Sequence, residues 1–179
     1  PHLQDKIHLY DGEVPIFDAY EIEKELDRIM QHKVPLKSGG SLVIDEMEAL
    51  TAIDVNSGKQ TGSTSLSDTI VKVNMEAADE ILRQLRLRDM GGIIVCDFID
   101  MESEEARKRV MDHFTAGLAK DRARTRVGRI SSLGLVELTR KRTGESVTQE
   151  LTEICPMCSG TGRIPSKETV SLWIERDMW

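Results

Sequence analysis

Aromatic residues are scarce in this chain, at 4% of 179 positions. So few rings leave no obvious platform on which successive unpaired bases could stack. Cysteine is scarcer still: Cys96, Cys155 and Cys158 are too few and too uneven for a disulfide framework. No apolar run approaches the length of a transmembrane helix, and no signal-peptide pattern opens the chain. His2, His8, His32 and His113 have no partner spacing, and no Ser–His or Cys–His arrangement points to nucleophilic catalysis. A net charge of -7 argues mildly against a general nucleic-acid coat, although a basic strip on one face needs no positive total.

What remains is ordinary for a soluble globular protein: 39% hydrophobic and 31% charged residues, on a chain long enough to bury a core without staples. An intracellular protein is the expectation. The chain opens on Pro1 and stops at Trp179 within a helix-like stretch, which reads as a fragment of a longer protein.

The periodicities predict an α/β fold. Asp18 with Glu21 resembles a capping pair, and Ile22, Leu26, Ile29 and Met30 predict an amphipathic helix over roughly 19–31. Leu42–Asp45 and Leu50–Asn56 read as strands of a hairpin joined at Glu46-Met47-Glu48. After a Gly/Ser/Thr-rich loop at Ser57–Ser65, Ser67 is positioned to cap a long helix. Its apolar stripe contains Ile70, Val71, Asn74, Ala77, Ala78, Ile81, Leu82 and Leu85. Ile93–Phe98 is a continuous apolar run, predicting a strand buried on both faces. A helix over about Ser103–Lys120 turns Ala106, Val110, Phe114 and Leu118 inward, and Val127–Ile130 and Leu135–Thr139 predict two further strands. Strands alternating with helices around one hydrophobic central strand give a sheet flanked by helices.

Two aspartates carry the chemistry. Asp54 stands between Ile53 and Val55 in one strand, and Asp97 ends the run from Ile93 in another. A buried carboxylate is costly unless paired, hydrogen-bonded or bound to a metal. Two of them converging at the carboxyl ends of strands suit Mg²⁺, which takes a few protein oxygens and keeps several waters. Asn56, two residues on from Asp54, shares its face and could orient that carboxylate or a phosphate. The competing reading has both acids capping turns or pairing with arginines, and spacing alone does not separate the two. Asp100 is a weaker third candidate. Ser57-Gly58-Lys59-Gln60-Thr61 fails as a phosphate-binding P-loop, because the first glycine is missing and Gln60 stands where Ser or Thr is needed. Lys59 remains a candidate phosphate contact beside its reading as a solvated lysine. Alternation puts Arg122, Arg124 and Arg126 on one face, either a track for a phosphate backbone or an ordinary solvated surface.

Cys155-Pro156-Met157-Cys158 has the spacing of half a structural zinc site, and the chain holds no second such pair. Two chains each donating a pair would close a four-sulfur site on a two-fold axis. Two free thiols are the alternative. Cys96 reads as an inert core thiol.

The same residues resemble the ribonuclease E/G family. The resemblance is carried by Ser38-Gly39-Gly40-Ser41-Leu42-Val43-Ile44-Asp45 and Glu48-Ala49-Leu50-Thr51-Ala52-Ile53-Asp54-Val55-Asn56-Ser57. It continues through Asn74-Met75-Glu76-Ala77-Ala78-Asp79-Glu80-Ile81, Arg83-Gln84-Leu85-Arg86-Leu87-Arg88-Asp89 and Gly91-Gly92-Ile93-Ile94-Val95-Cys96-Asp97-Phe98-Ile99-Asp100-Met101. Cys155-Pro156-Met157-Cys158-Ser159-Gly160-Thr161-Gly162 completes it.

The resemblance implies an endoribonuclease of single-stranded RNA, active in RNA processing (rRNA included) and mRNA decay, in the bacterial cytoplasm or the plastid. It implies Asp54 and Asp97 as ligands of a catalytic Mg²⁺, supported by Asn56, and products with 5′-phosphate and 3′-hydroxyl ends. It implies Zn²⁺ shared through Cys155 and Cys158 of two chains, hence a homodimer, with dimers pairing into tetramers in the family. The implied domains are the end of a ribonuclease-H-like subdomain (1–36) and a deoxyribonuclease-I-like catalytic subdomain (37–150). A zinc link (151–162) and the start of a small dimerisation domain (163–179) follow. The family's N-terminal oligonucleotide-binding barrel and its 5′-monophosphate pocket have no counterpart in this sequence. The rival reading is a non-catalytic, zinc-linked RNA-binding or assembly module.

Overall fold

Side-chain alternation decides how the sheet lies. In a computed structural model that describes residues 6–58, 66–131 and 133–179, Leu42, Ile44, Ile53, Val55, Ile94, Cys96, Val136 and Leu138 are all buried. Of the residues that alternate with them, Asp54, Asn56, Ile93, Asp97, Glu137 and Thr139 are exposed and Val43 and Val95 half-buried. One face of the sheet is therefore core and the other is open.

The strands are β1 (Lys33–Pro35), β2 (Ser41–Glu46), β3 (Leu50–Asn56), β4 (Gly92–Asp97), β5 (Thr125–Ile130) and β6 (Leu135–Arg140). They form one six-stranded sheet in the order β1-β2-β3-β4-β6-β5. Only β3 and β4 run parallel; every other neighbouring pair is antiparallel. That parallel pair needs a crossover, which the long helix α3 (Leu66–Leu87) supplies. Helices α1 (Ile16–Ala19) and α2 (Ile22–Ile29) precede the sheet, and α4 (Glu104–Leu118) joins β4 to β5. The short α5 (Val147–Leu151) and α6 (Lys167–Asp177) follow it.

The stripe of α3 through Val73, Ala77, Ile81 and Leu85 and that of α4 through Val110, Phe114 and Leu118 join the sheet's buried face in one core. Phe98, just beyond β4, meets Phe114 edge to face at 5.8 Å. Gly117 lets the two helices close up, since a Cβ there would lie 2.1 Å from Leu82 Cδ1. Arg83 ties α2 to α3 through Glu25 at 2.6 Å and Glu80 at 2.9 Å.

Several sequence expectations are corrected. Asp18 lies inside α1, and Glu21 before α2 adopts φ 56° with no side-chain cap, so the expected capping pair and single helix give way to two short helices. A left-handed residue breaks the hydrogen-bond ladder between them. Leu66 is already helical, so Ser67 lies inside α3 rather than at its cap. Strand β4 is not buried on both faces: Ile93 is 50% exposed, because among the described residues no helix covers the open side. Ala106 is only partly buried, whereas Ser103 does cap α4, accepting from Ala106 N. Strand β1 and helix α5 were not anticipated; each is too short to show a period.

Behind the far edge of the sheet, Arg140 is almost wholly enclosed and binds the equally enclosed Asp121 at 2.9 Å. It also binds Asp89 at 2.8 Å and the Met90 carbonyl at 2.9 Å. The Arg140 and Thr143 hydrogen bonds hold Asp89 below its ordinary value. Burial pushes Asp121 up, but the bonds from Arg140 and from the Ala123 N–H outweigh it, and the net shift is downward. Both acids thus contribute stability that is present above the ordinary carboxylate range and is lost as pH falls through their lowered folded values. Asp121→Ala leaves the Arg140 charge enclosed with less compensation and should cost about 3–5 kcal/mol in urea unfolding at neutral pH. The deficit should shrink as the pH falls below the ordinary carboxylate range and through the lowered folded value, where the wild-type carboxylate is itself protonated.

Candidate functional site

The parallel register of β3 and β4 sets Asp54 directly opposite Asp97. Residues opposite one another in adjacent strands project from the same face, and here that face is the open one. Both acids are exposed, so the expectation that they are buried is corrected: the uncovered side of the sheet keeps them in contact with solvent. Asp97 is the last residue of β4, and Asp54 lies two residues from the end of β3.

Asn56 Nδ2 donates to Asp54 Oδ2 at 2.6 Å, which fixes one carboxylate oxygen and leaves the other for a ligand. Partial burial first, then the charges of Asp54 and Asp100, push the Asp97 carboxyl above its ordinary value. Asp97 therefore senses the charge of Asp54. Among the described residues neither forms an ion pair, so the reading in which arginines neutralise them is not met there. No cluster of three or more His, Cys, Asp or Glu side chains suited to a metal occurs among the described residues. A pair of adjacent carboxylates, one held by an amide, is still a hard-oxygen donor set of the kind Mg²⁺ uses with its waters, so the residues fit that ion.

The backbone beneath Asn56 is unusually tight. A Cβ on Gly40 would lie 2.6 Å from the Asn56 carbonyl, and one on Gly58, at φ 67°, would lie 2.3 Å from the Gly39 carbonyl. Glu76 of α3 holds the same loop, accepting from the N–H groups of Lys37 and Ser38. Neither close approach is anticipated from the sequence, where Gly58 falls in a Gly/Ser/Thr-rich loop and Gly40 only within the family-like motif. A paired glycine run facing a strand end was the available signal.

Arg122, Arg124 and Arg126 are all exposed, alternating with half-buried Ala123, Thr125 and Val127. Arg126 pairs with Thr139, and Thr139 with Ile93, which puts Arg126 on the open face with the acids. It lies four residues back along the strands and two strands over, about 13 Å and about 10 Å away. Arg122 and Arg124 lie farther still. The register shifts between Val127 and Ile130, a bulge that holds exposed Arg129 three residues further along β5 than Arg126. Lys59 lies outside the described residues, as do His2 and most of the loop that follows Gly58. Asp100 is exposed just beyond Asp97, with Oδ1 3.3 Å from where a Gly134 Cβ would be.

Cys155 is exposed and Cys158 half-buried, neither in a disulfide. Hydrogen bonds from the N–H groups of Cys158 and then Met157, with a further contact from the Cys158 side chain, lower the Cys155 pKa. The turn is closed by Ser159 N donating to the Cys155 carbonyl at 2.8 Å and Thr161 N to that of Cys158 at 2.9 Å. A turn that aims N–H groups at a sulfur favours the thiolate that zinc requires, so this pair fits half of a zinc site. Cys96 is fully enclosed and burial pushes its thiol up to about 12, an inert core residue as expected.

Fold and site together define an α/β protein with a paired-acid centre on an uncovered sheet face. Comparison with known sequences narrows this. The model of the Ribonuclease E/G family matches residues 1–143, and the chain belongs to that family. Ribonuclease G of Salmonella typhimurium (strain SL1344) is 48% identical over 178 residues, 99% of this chain and 36% of that protein. Ribonuclease G of Haemophilus influenzae is 46% identical over the same share of each chain. Ribonuclease E of Escherichia coli (strain K12) is 46% identical over 176 residues, 98% of this chain and 17% of that protein. The chain thus spans 36% of the length of these ribonuclease G relatives and a smaller part of ribonuclease E.

The glycine contacts are directly testable. Gly58→Ala should lower stability by more than the about 1–2 kcal/mol that a left-handed backbone alone costs, because the new methyl also meets the Gly39 carbonyl. Gly144→Ala, with nothing within 4 Å, should stay within about 0.5 kcal/mol in the same denaturant titration. Equal effects would remove the close approach from the account.

Proposed function

We propose that this chain carries the catalytic centre of an endoribonuclease that hydrolyses phosphodiesters of single-stranded RNA with Mg²⁺. The observation that carries the reading is the register pairing of Asp54 with Asp97 on an open sheet face, in a chain of the ribonuclease E/G family. Asp54 and Asp97 would hold the ion, and Asn56 keeps the Asp54 carboxylate turned toward it. When bound, Mg²⁺ supplies Lewis-acid polarisation of a phosphoryl oxygen and acidifies water. The open face admits an extended strand without a pocket to thread. Arg126, with Arg122 and Arg124 beyond it and Lys59 on the other side of Asn56 in sequence, offers cations for the RNA backbone. Hydrolysis in line leaves 5′-phosphate and 3′-hydroxyl ends, the outcome suited to RNA processing and mRNA decay.

The sheet with α3 and α4 is read as a deoxyribonuclease-I-like catalytic subdomain (37–150), preceded by the end of a ribonuclease-H-like one (1–36). The zinc link (151–162) would join two chains, Cys155 and Cys158 of each completing a tetrahedral four-sulfur Zn²⁺ site and making a homodimer. The segment 163–179 would begin a small dimerisation domain, and dimers would pair into tetramers. The exposed apolar residues Leu172, Trp173 and Ile174 of α6 are consistent with a helix that is covered in an assembly. The relatives are bacterial, which favours the bacterial cytoplasm over the plastid. Among the described residues no helix is long and apolar enough to cross a membrane.

In the intact protein carrying this sequence, Asp54→Asn and Asp97→Asn should each reduce Mg²⁺-dependent RNA cleavage by about 100-fold or more, with folding retained. Undiminished Mg²⁺-dependent cutting by either variant would end the assignment of the ion to this pair, whereas no Mg²⁺-dependent cutting by the unaltered protein would favour the zinc-linked, non-catalytic module. The zinc link has its own readout: metal analysis should give one Zn²⁺ per two chains. The double variant Cys155→Ser/Cys158→Ser should lose both the metal and the dimer mass in light scattering, and an unchanged mass would eliminate the bridge.

A further inference from the structure

Asparagine is a poor helix former and is expensive to enclose. Asn74 is nevertheless in the middle of α3, on its apolar stripe, with 0% of its surface exposed. Both ends of its amide are used, and both by one residue. Asn74 Nδ2 donates to the Ile99 carbonyl at 2.8 Å, and Ile99 N donates to Asn74 Oδ1 at 3.1 Å. The side chain thus does for Ile99 what a neighbouring strand would do. The regular ladders of β4 with β3 and β6 end at Asp97, and a chain leaving a sheet is otherwise free to choose its direction. Here Phe98 is anchored in the core against Phe114, and Asn74 grips the next peptide. The path from Asp97 to Asp100 is fixed from behind by α3.

We propose that Asn74 is a positioning residue for the acidic centre, clamping Ile99 so that Asp97 and Asp100 present their carboxylates in a preset geometry beside Asp54. This inference rests on the reading of Asp54 and Asp97 as the ion-binding pair. A merely structural asparagine would satisfy one loop and affect stability alone. A clamp two residues after a ligand acts on the site, because outer partners that orient ligands govern how tightly an ion is held. The same arrangement ties the acidic pair to α3, the helix whose Glu76 holds the Lys37–Gly40 loop beneath Asn56. One helix therefore braces the site from both strands.

The test uses the intact protein with Asn74→Leu and Asn74→Ala, the second leaving room for water should the first fail to fold. Gln84→Leu is the control, since Gln84 is equally enclosed on α3 but bonds only Glu80 and Arg88, away from the site. For the Asn74 variants, the Mg²⁺ concentration giving half-maximal cleavage should rise, with kcat falling, by about 10- to 100-fold in combination. KM for RNA should change little, and amide exchange at Ile99 should speed up. Gln84→Leu should lower the melting temperature without moving the Mg²⁺ requirement. An unchanged Mg²⁺ requirement in folded Asn74 variants, with Asp97→Asn inactive in the same assay, overturns the positioning role alone. Full activity of Asp97→Asn would overturn the ion-binding reading beneath it.

Discussion

The pairing of β3 with β4 in parallel is the constraint on which the rest depends. Among the described residues it is the one parallel contact in the sheet, and its register decides that Asp54 and Asp97 stand side by side. A slip of one residue would turn one carboxylate into the core and leave the other alone. The register is secured by the buried partners on the opposite face. Ile53 and Val55 of β3 and Ile94 and Cys96 of β4 all point into the core under α3 and α4. The hydrophobic effect thus sets the positions of two charged groups that it does not touch.

Parallel strands also explain why so much of the chain lies on one side. The crossover α3 and the following α4 occupy the core face, so the open face is left to polar residues, half-buried apolar ones and the arginines of β5. Partial burial of Asp97 pushes its carboxyl up first, and the neighbouring charges of Asp54 and Asp100 add repulsion to that shift. On the proposed reading a divalent cation would offset that repulsion, and the open face keeps both acids in contact with solvent. The tight glycine contacts under Asn56 and the Asn74 clamp behind Ile99 hold the two strand ends, so the pair is preset before any ligand arrives.

Much of this was legible in the sequence. Strand periodicity placed β2, β3 and β6 to within a residue or two, and the polar residues inside apolar strands, Asp54 and Asp97, stood out as exceptions requiring a reason. The family resemblance rested on motif order through nearly the whole chain, and the comparisons show it. The exposure of the acids was misjudged because an apolar run such as Ile93–Phe98 looks the same whether one face or both are covered. Asn74 was read as part of a core stripe. Its function in the fold depends on a loop 25 residues away, which no local pattern reveals. The capping pair at Asp18 and Glu21 failed because Asp18 lies inside α1 and Glu21 takes a left-handed backbone with no side-chain cap.

The central claim is that two acids remote in sequence share one hard cation. Locating Mn²⁺, in place of Mg²⁺, by its anomalous scattering in crystals of the protein tests it most directly. The account predicts one peak bridging Asp54 and Asp97, about 2 Å from an oxygen of each. A well-ordered sheet with the ion on only one of the two, or at neither, would contradict it.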